Sequence, residues 1–405
     1  MKAENNHLLL RLCCYASMAI CFMPVVDYYC PWYVTMIPAV AVIGISLTID
    51  QKITAMLKVL LYITGLALLL FWYTKRRDPA TTYFINFYIT FLPTLLAVQL
   101  GRTIQDKHFF KDYLFVMTLI ISITCITTMI GHEQYPMASR ELASGSAIYD
   151  TDIYLRMNIG GYDFIYGLVL LIPLFWWMRN RETSRFRKIV YTVALVLDVL
   201  CIYSSQYTIA LICVVVTFLM IWMLKNRKNA SIATAILIVF LLCNGLDLLS
   251  QLFRWASQHI GMDYVSDRLM QVSQLLGGHS INTGTSDKRI MHYKEQLATF
   301  SHAPLFGKNI FDFTRSAVSG HSLILDIMGA GGVFATGLLV LLFRGLYKTS
   351  VLIPGKGSCS AVRVIWATAA VIAVLNPITF TMAVTIAFPC CMCIEHIEHL
   401  DKGEI

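Results

Sequence analysis

Long apolar runs, separated by short polar segments, dominate this chain. A helix needs about 20 mostly apolar residues to cross the hydrocarbon core of a bilayer, and about a dozen runs approach that length. The pattern predicts an all-α, polytopic transmembrane bundle of about 12 spans that forms one integral membrane domain over residues 1–405. We place the spans at residues 8–26, 32–49, 53–73, 83–100, 112–131, 160–178, 188–204, 206–225, 230–249, 321–343, 361–376 and 379–394.

The composition agrees with the apolar pattern. Hydrophobic residues make up 57% of the chain and charged residues only 14%, which is atypical of a soluble domain. The formal net charge is +8, but the basic residues fall in short clusters between the predicted spans, so we interpret them as topology signals and expect no nucleic-acid partner. Most of the 12 cysteines lie within apolar runs, so neither a disulfide framework nor a metal site is predicted.

The basic clusters also predict the orientation of the bundle. Twelve spans place both termini on one side of the membrane. Four basic clusters share that side: residues 102–111, 179–188, 225–228 and 344–356. The positive-inside rule assigns this side to the cytoplasm. The first apolar run lacks a cleavage pattern and is predicted to be a retained span rather than a signal peptide. The three cations of residues 75–77 lie on the opposite, extracytoplasmic side in this topology. Either the third or fourth span is misplaced, or these cations face an anionic head group.

Two long segments, residues 132–159 and 250–320, are extracytoplasmic in this topology. Long connections held by a rigid scaffold often carry binding residues. In the second segment, the apolar positions Ile290, Tyr293, Leu297 and Phe300 recur at helical spacing and predict an amphipathic helix. The segment then passes through a Pro-Leu-Phe-Gly turn at residues 304–307 before it re-enters the membrane.

His321 is the first candidate for chemistry, because it stands where the second outer loop enters an apolar helix. One interpretation makes it an interfacial anchor for the helix end. The other makes it a general base that accepts a proton from a sugar hydroxyl. Ser322 and Tyr293 are expected to contact the substrate. Asp326 would cost on the order of 3 kcal/mol if it faced lipid, so we expect it to face the bundle interior in a structural role.

Arginines of the two outer loops are the second set of candidates, because a guanidinium binds phosphate oxygens in bidentate fashion. For any one of them, a solvated loop charge is the simpler interpretation. Arg156 differs because Gly160 and Gly161 follow it where the chain re-enters the membrane, and glycines allow close backbone approach. The candidates are Arg140, Arg156, Arg268, Arg289 and Arg315.

The order of these features resembles the bacterial O-antigen polymerase and O-antigen ligase superfamily. The layout covers most of the chain, whereas the specific motifs cover residues 289–332 and the neighbourhood of residue 156. The matching positions are Arg156 with Gly160 and Gly161, Arg289, the turn ending at Gly307, and His321 followed by Gly329 and Gly332. Ligases of this group often have His-Asn and an acidic residue before the glycines. This chain has His-Ser and Met328, which favours the polymerase side.

The resemblance implies a GT-C-like membrane glycosyltransferase that acts by inverting, metal-independent transfer without a cofactor. The donor would be an oligosaccharide on undecaprenyl pyrophosphate, and the acceptor a hydroxyl of another lipid-linked repeat unit. His321 would be the base, the arginines would bind the pyrophosphate, and the glycines Gly160, Gly161, Gly307, Gly329 and Gly332 would permit close packing. Membrane lipids and a chain-length regulator protein would be the other partners, in a bacterial inner membrane.

Two rival functions stay open. A ligase shares the donor and differs only in its acceptor. A flippase or other transporter of lipid-linked oligosaccharide should instead show polar or broken helices near the midplane. The polar residues here gather toward the outer ends of the spans, which favours surface chemistry over transport.

Overall fold

The computed structural model describes residues 2–49, 53–74, 91–96, 98, 107–144, 151–225, 245–261, 263–276, 285–308, 321–351, 359–377 and 381–402. Within these ranges the chain is helical and contains no strand, in agreement with the predicted all-α class. The first helices are α1 (Lys2–Phe22), α2 (Pro24–Tyr29), α3 (Trp32–Ile49), α4 (Ile53–Thr74), α5 (Lys107–Gln134), α6 (Ala138–Ser144), α7 (Thr151–Arg156) and α8 (Tyr162–Arg181). They are followed by α9 (Arg185–Ser204), α10 (Thr208–Lys225), α11 (Gly245–His259), α12 (Asp263–Leu276), α13 (Thr285–His302), α14 (Leu323–Ser350), α15 (Ser360–Leu375), a π-helical segment (Thr381–Ala387) and α16 (Phe388–Asp401).

Two of the described helices are long and apolar enough to cross a membrane by length and composition: His108–Gln134 and Leu323–Ser350. Other apolar stretches are shorter, among them Thr208–Met223 and Ser360–Leu375. The predicted spans 83–100 and 230–249 lie largely outside the described residues. The count of about 12 spans therefore stays a prediction.

The central helix of the core is α8, which is buried on all sides from Ile165 to Phe175. A helix that is apolar all round belongs inside a bundle rather than on its surface. It packs against α9, α10, α15 and the π-helical segment. At Gly167 an added Cβ would lie 2.5 Å from Ile386 Cδ1, so this glycine allows the π-helical segment to approach α8 closely.

The two predicted outer loops are largely helical. The segment 132–159 contains α6 and α7, and its first residues continue α5 as far as Gln134. The segment 250–320 contains most of α11, then α12 and α13. Helix α11 runs through residue 250 without a break, so the boundary placed there is not the start of a new element. Ser250 donates to the Ser273 carbonyl at 2.7 Å and Ser266 to the Ser257 carbonyl at 2.6 Å, so α11 and α12 form an antiparallel pair.

The predicted span 321–343 is not one regular helix. Gly332 has φ 63° and ψ −160°, which interrupts α14 after nine residues. The interruption frees backbone N–H groups, and the Pro-Leu-Phe-Gly turn supplies their acceptors. Val333 N donates to Pro304 O at 2.8 Å and Phe334 N to Leu305 O at 3.1 Å.

Helix lengths indicate how this interruption redirects α14. The Phe343 and Trp366 rings are 6.2 Å apart, and from Trp366 to the end of α15 the chain rises about 13 Å. A straight helix from Phe343 back to the start of α14 would rise about 30 Å. Yet the Tyr293 hydroxyl reaches both the His321 and the Leu375 carbonyls. The first nine residues of α14 therefore run across the end of the bundle rather than along its axis.

Candidate functional site

His321 lies at the junction that the sequence indicated, directly before α14. Its half-buried ring is 5.2 Å from the His292 ring, centroid to centroid, with 31° between the ring planes. His292 Nδ1 lies 3.1 Å from Glu295 Oε2, one turn further along α13. The arrangement places a carboxylate and two imidazoles in succession, which suits acceptance and delocalisation of a proton.

Ser322 caps α14 instead of facing a cavity. Its buried hydroxyl accepts from Leu325 N at 3.3 Å, which satisfies one of the donors at the helix N-terminus. A substrate-binding role for Ser322, as expected from the sequence, has no geometric support. Asp326, one turn later, is fully buried, as expected for a carboxylate that avoids lipid.

Tyr293 joins three elements at the same end of the bundle. Its hydroxyl lies 3.2 Å from the His321 carbonyl and 3.2 Å from the Leu375 carbonyl. The single phenolic proton is thus shared between the start of α14 and the end of α15. Tyr293 fixes the backbone of His321, which is a positioning role.

Three tyrosines form an aromatic cluster next to the end of α15: Tyr162, Tyr166 and Tyr207. Their ring centroids are 4.6 to 6.0 Å apart. Asn376 Nδ2 donates to the Tyr166 hydroxyl at 2.6 Å, and the Tyr162 hydroxyl donates to the Pro377 carbonyl at 2.8 Å. We call Tyr162, Tyr166 and Tyr207 the tyrosine cluster.

Arg140 is the outer-loop arginine that contacts the tyrosine cluster. Its guanidinium carbon lies 4.9 Å from the centre of the Tyr207 ring, a cation–π distance, and Nη2 donates to the Gln206 carbonyl. Through Tyr207, the residues 375–377 and Tyr293, a continuous set of contacts links Arg140 to His321. Sequence reasoning missed the tyrosine cluster, and the only signal for it was the four-residue spacing of Tyr162 and Tyr166.

A buried histidine that the sequence did not single out holds Arg140 in place. His132 Nε2 lies 2.7 Å from the Ser139 hydroxyl, which donates to the Gly160 carbonyl at 2.6 Å. Because the Ser139 hydroxyl donates to Gly160, Nε2 carries a proton and donates to Ser139, and Nδ1 lies 2.9 Å from the Ser204 hydroxyl. This relay attaches α6, and with it Arg140, to the turn at Gly160.

The other arginines occupy different surroundings. Arg156 donates from Nε and Nη2 to the Tyr28 hydroxyl at 3.1 and 2.9 Å, so its contacts run to α2 rather than to His321. Arg268 donates to Gln271 within α12 at 3.0 Å. The backbone of Arg289 belongs to α13, one turn before Tyr293, but its side chain and the whole of Arg315 lie outside the described residues. The described arginines do not gather around one point.

The glycines of the second motif serve a loop-to-helix contact. Gly307 and Gly332 both have positive φ, and a Cβ on either would lie within 2.6 Å of facing backbone atoms. A Cβ at Gly329 would lie 2.0 Å from Gln296 Oε1 on α13. Gly307 and Gly332 thus bring the turn and α14 together, and Gly329 brings α14 against α13, in line with the close packing expected of these glycines.

Gly160 and Gly161 differ in how closely they are packed. A Cβ at Gly160 would lie 2.2 Å from the Phe164 ring, whereas one at Gly161 would make an ordinary 3.6 Å contact with Leu142. The close approach expected from this pair therefore applies to Gly160.

Within the described part of the chain, no group of three or more His, Cys, Asp or Glu side chains is arranged to hold a metal ion. No protein-family model and no curated protein sequence matches this chain.

Proposed function

We propose that the protein is a multi-pass bacterial inner-membrane glycosyltransferase, with both termini cytoplasmic, that polymerises undecaprenyl-pyrophosphate-linked repeat units into a surface polysaccharide. The observation that carries the proposal is the position of the half-buried His321 ring. It lies against His292 and Glu295 at the start of a long apolar helix, and Tyr293 connects its backbone to the tyrosine cluster beside Arg140.

His321 is the general base in this proposal. It accepts the proton of the acceptor hydroxyl while that oxygen attacks the anomeric carbon of the donor. The bond from this carbon to the pyrophosphate oxygen breaks on the opposite face, so the configuration inverts and the pyrophosphate leaves with its electron pair. The carboxylate of Glu295, which pairs with the neighbouring His292, stabilises the positive charge on the His321 ring at the end of this step.

Arginines stabilise the charge that develops on the pyrophosphate, since a guanidinium offers two parallel donors to phosphate oxygens. Arg140 is the described arginine connected to the histidine site. Arg289 is the second candidate, because residues one turn apart on a helix lie on the same face and Tyr293 is four residues further along α13. Tyr162 and Tyr207, the half-buried members of the tyrosine cluster, supply an apolar surface for sugar rings.

A transporter is the rival that one structural observation favours, since α14 is interrupted at Gly332. In transporters the freed backbone groups at such interruptions bind substrate or ions. Here the N–H groups of Val333 and Phe334 already donate to the carbonyls of the 304–307 turn. The interruption therefore holds a loop in place, and we prefer the enzyme.

Elongation of a purified lipid-linked repeat unit by the purified protein tests the proposal. His321→Ala should abolish elongation, while the matched control His302→Ala, which replaces an exposed histidine at the end of α13, should elongate at the parental rate. The products separate the three functions. A polymerase gives a longer glycan still on undecaprenyl pyrophosphate, a ligase moves the glycan to a different acceptor, and a transporter forms no glycosidic bond. Parental elongation by His321→Ala would reduce this residue to an anchor.

A further inference from the structure

A second polar site lies at the opposite end of the bundle, where α8 and α16 end and α15 begins. A cavity of about 520 Å³ opens there between the three helices. Its walls combine two indoles, Trp176 and Trp177, with the polar side chains Arg181, Arg363, Glu395, Glu398, His399 and Lys402. The volume falls within the range of small-molecule sites, about 300 to 1,000 Å³.

The acidic side chains of this cavity already have partners within the protein. Glu395 is 1% exposed, accepts from Cys359 N at 2.7 Å and lies 3.3 Å from His399 Nε2. Glu398 lies 2.5 Å from Arg181 Nη2 and 3.0 Å from Lys402 Nζ. A buried carboxylate with two such partners has little capacity left for a cationic ligand.

Arg363 is the basic residue of the cavity wall whose charge is not used in an ion pair with the described residues. Arg181 and Lys402 are ion-paired, whereas the exposed Arg363 has no ion pair with any residue that the structure describes. Asn180 and Ser360, which also line the cavity, can add neutral donors. Indoles at such a position suit a membrane interface, where one side of the ring is apolar and the other wet.

We propose that this cavity binds a phosphate group, with Arg363 as its principal ligand. Because the sequence assigns this end to the cytoplasm, the phosphate comes either from an anionic phospholipid of the inner leaflet or from a soluble phosphate compound. The proposal rests on the local charges and does not depend on the glycosyl transfer at the other end.

Binding can be measured on the full chain in nanodiscs of phosphatidylcholine. One arm replaces a fifth of the lipid with phosphatidylglycerol, and the other adds inorganic phosphate or pyrophosphate at constant ionic strength. Thermal unfolding and ³¹P NMR report binding in each arm. Arg363→Gln should weaken binding about tenfold. Arg185→Gln, an exposed arginine at the same end but outside the cavity, should bind like the parent.

The two arms identify the source of the phosphate. One outcome is a shift of the unfolding temperature or the ³¹P signal with phosphatidylglycerol. If added phosphate does not reverse this shift and Arg363→Gln removes it, the site binds a lipid head group. A saturable effect of phosphate or pyrophosphate that depends on Arg363 assigns it to a soluble compound. If neither arm gives binding, or if the two arginine variants respond alike, the proposal is wrong.

Discussion

The amide nitrogen of Val333 lies 2.8 Å from the carbonyl oxygen of Pro304, and this hydrogen bond joins the turn after α13 to the interrupted helix α14. Phe334 makes the next bond of the same kind with Leu305. The carbonyls of residues 304 and 305 thus replace the acceptors that a regular helix would provide within α14. Residues 304 and 305 closely follow α13, so this contact holds the end of α13 against α14.

Replacement of Gly332 should therefore damage the fold. Its φ of 63° and ψ of −160° are accessible essentially to glycine alone, and a Cβ would lie 2.5 Å from the Leu305 carbonyl carbon. We expect Gly332→Ala to lower stability by about 1 to 3 kcal/mol or more. The matched control is Gly337→Ala in the same helix, where a Cβ meets nothing within 4 Å. Thermal unfolding of both variants checks this, and equal midpoints would contradict it.

Removal of the Ser139 hydroxyl should loosen the first outer loop. Ser139→Ala leaves the Gly160 carbonyl and His132 Nε2 without their partner, and a buried polar group left unsatisfied costs about 1 to 3 kcal/mol. Ser301→Ala, which removes a hydroxyl that bonds only within α13, is the control and should stay within about 0.5 kcal/mol of the parent. Protease sensitivity of the 144–151 segment should rise in the first variant only. Equal sensitivity would show that the relay does not hold α6.

Arg140 should be more important for transfer than Arg268. Arg140→Lys retains the charge but loses the planar group that lies over Tyr207, so we expect a rate about tenfold or more below that of the parent. Arg268→Lys changes the arginine that donates to Gln271 within α12, and this variant should elongate normally. Initial rates of elongation with saturating acceptor measure the difference. A parental rate for Arg140→Lys would remove it from the pyrophosphate site.

His396 should make stability depend on pH. The ring is fully buried against Phe110, at 4.4 Å between centroids, and burial lowers the pKa of His396 from its usual value to about 4. The unfolded chain then binds the proton more strongly than the folded chain, so the contribution of neutral His396 is complete above about pH 6.5 and is lost as the pH falls toward 4. The unfolding temperature should fall over this interval. His396→Phe should flatten that part of the curve, and an unchanged slope would contradict the assignment.

Labelling of introduced cysteines tests the predicted topology in a background without native cysteines. Ser280→Cys lies in the second predicted outer loop and should react with a membrane-impermeant thiol reagent in spheroplasts. Arg227→Cys lies in a predicted cytoplasmic cluster and should react only after lysis. The reverse pattern would invert the bundle, and labelling of both before lysis would exclude the proposed topology.

The sequence by itself determined the helical class, the position of His321 directly before α14 and the burial of Asp326. These follow from local rules: the helical periodicity of apolar residues and the cost of a carboxylate in an apolar medium. Each rule depends on residues within a few helical turns of one another, so a short stretch of sequence is sufficient to apply it.

Only the tertiary structure decided which distant residues share the site. Gly332 lies in a continuous apolar run of the sequence. The helix is interrupted there because the carbonyls of residues 304 and 305, in another segment, accept the hydrogen bonds of the freed N–H groups. Arg140 differs from Arg156 and Arg268 only in its neighbours, because Tyr207 and Gln206 are 66 or more residues away along the chain. Hydrogen bonds and aromatic contacts of this kind depend on distances of a few ångströms between elements, which no local pattern of residues specifies.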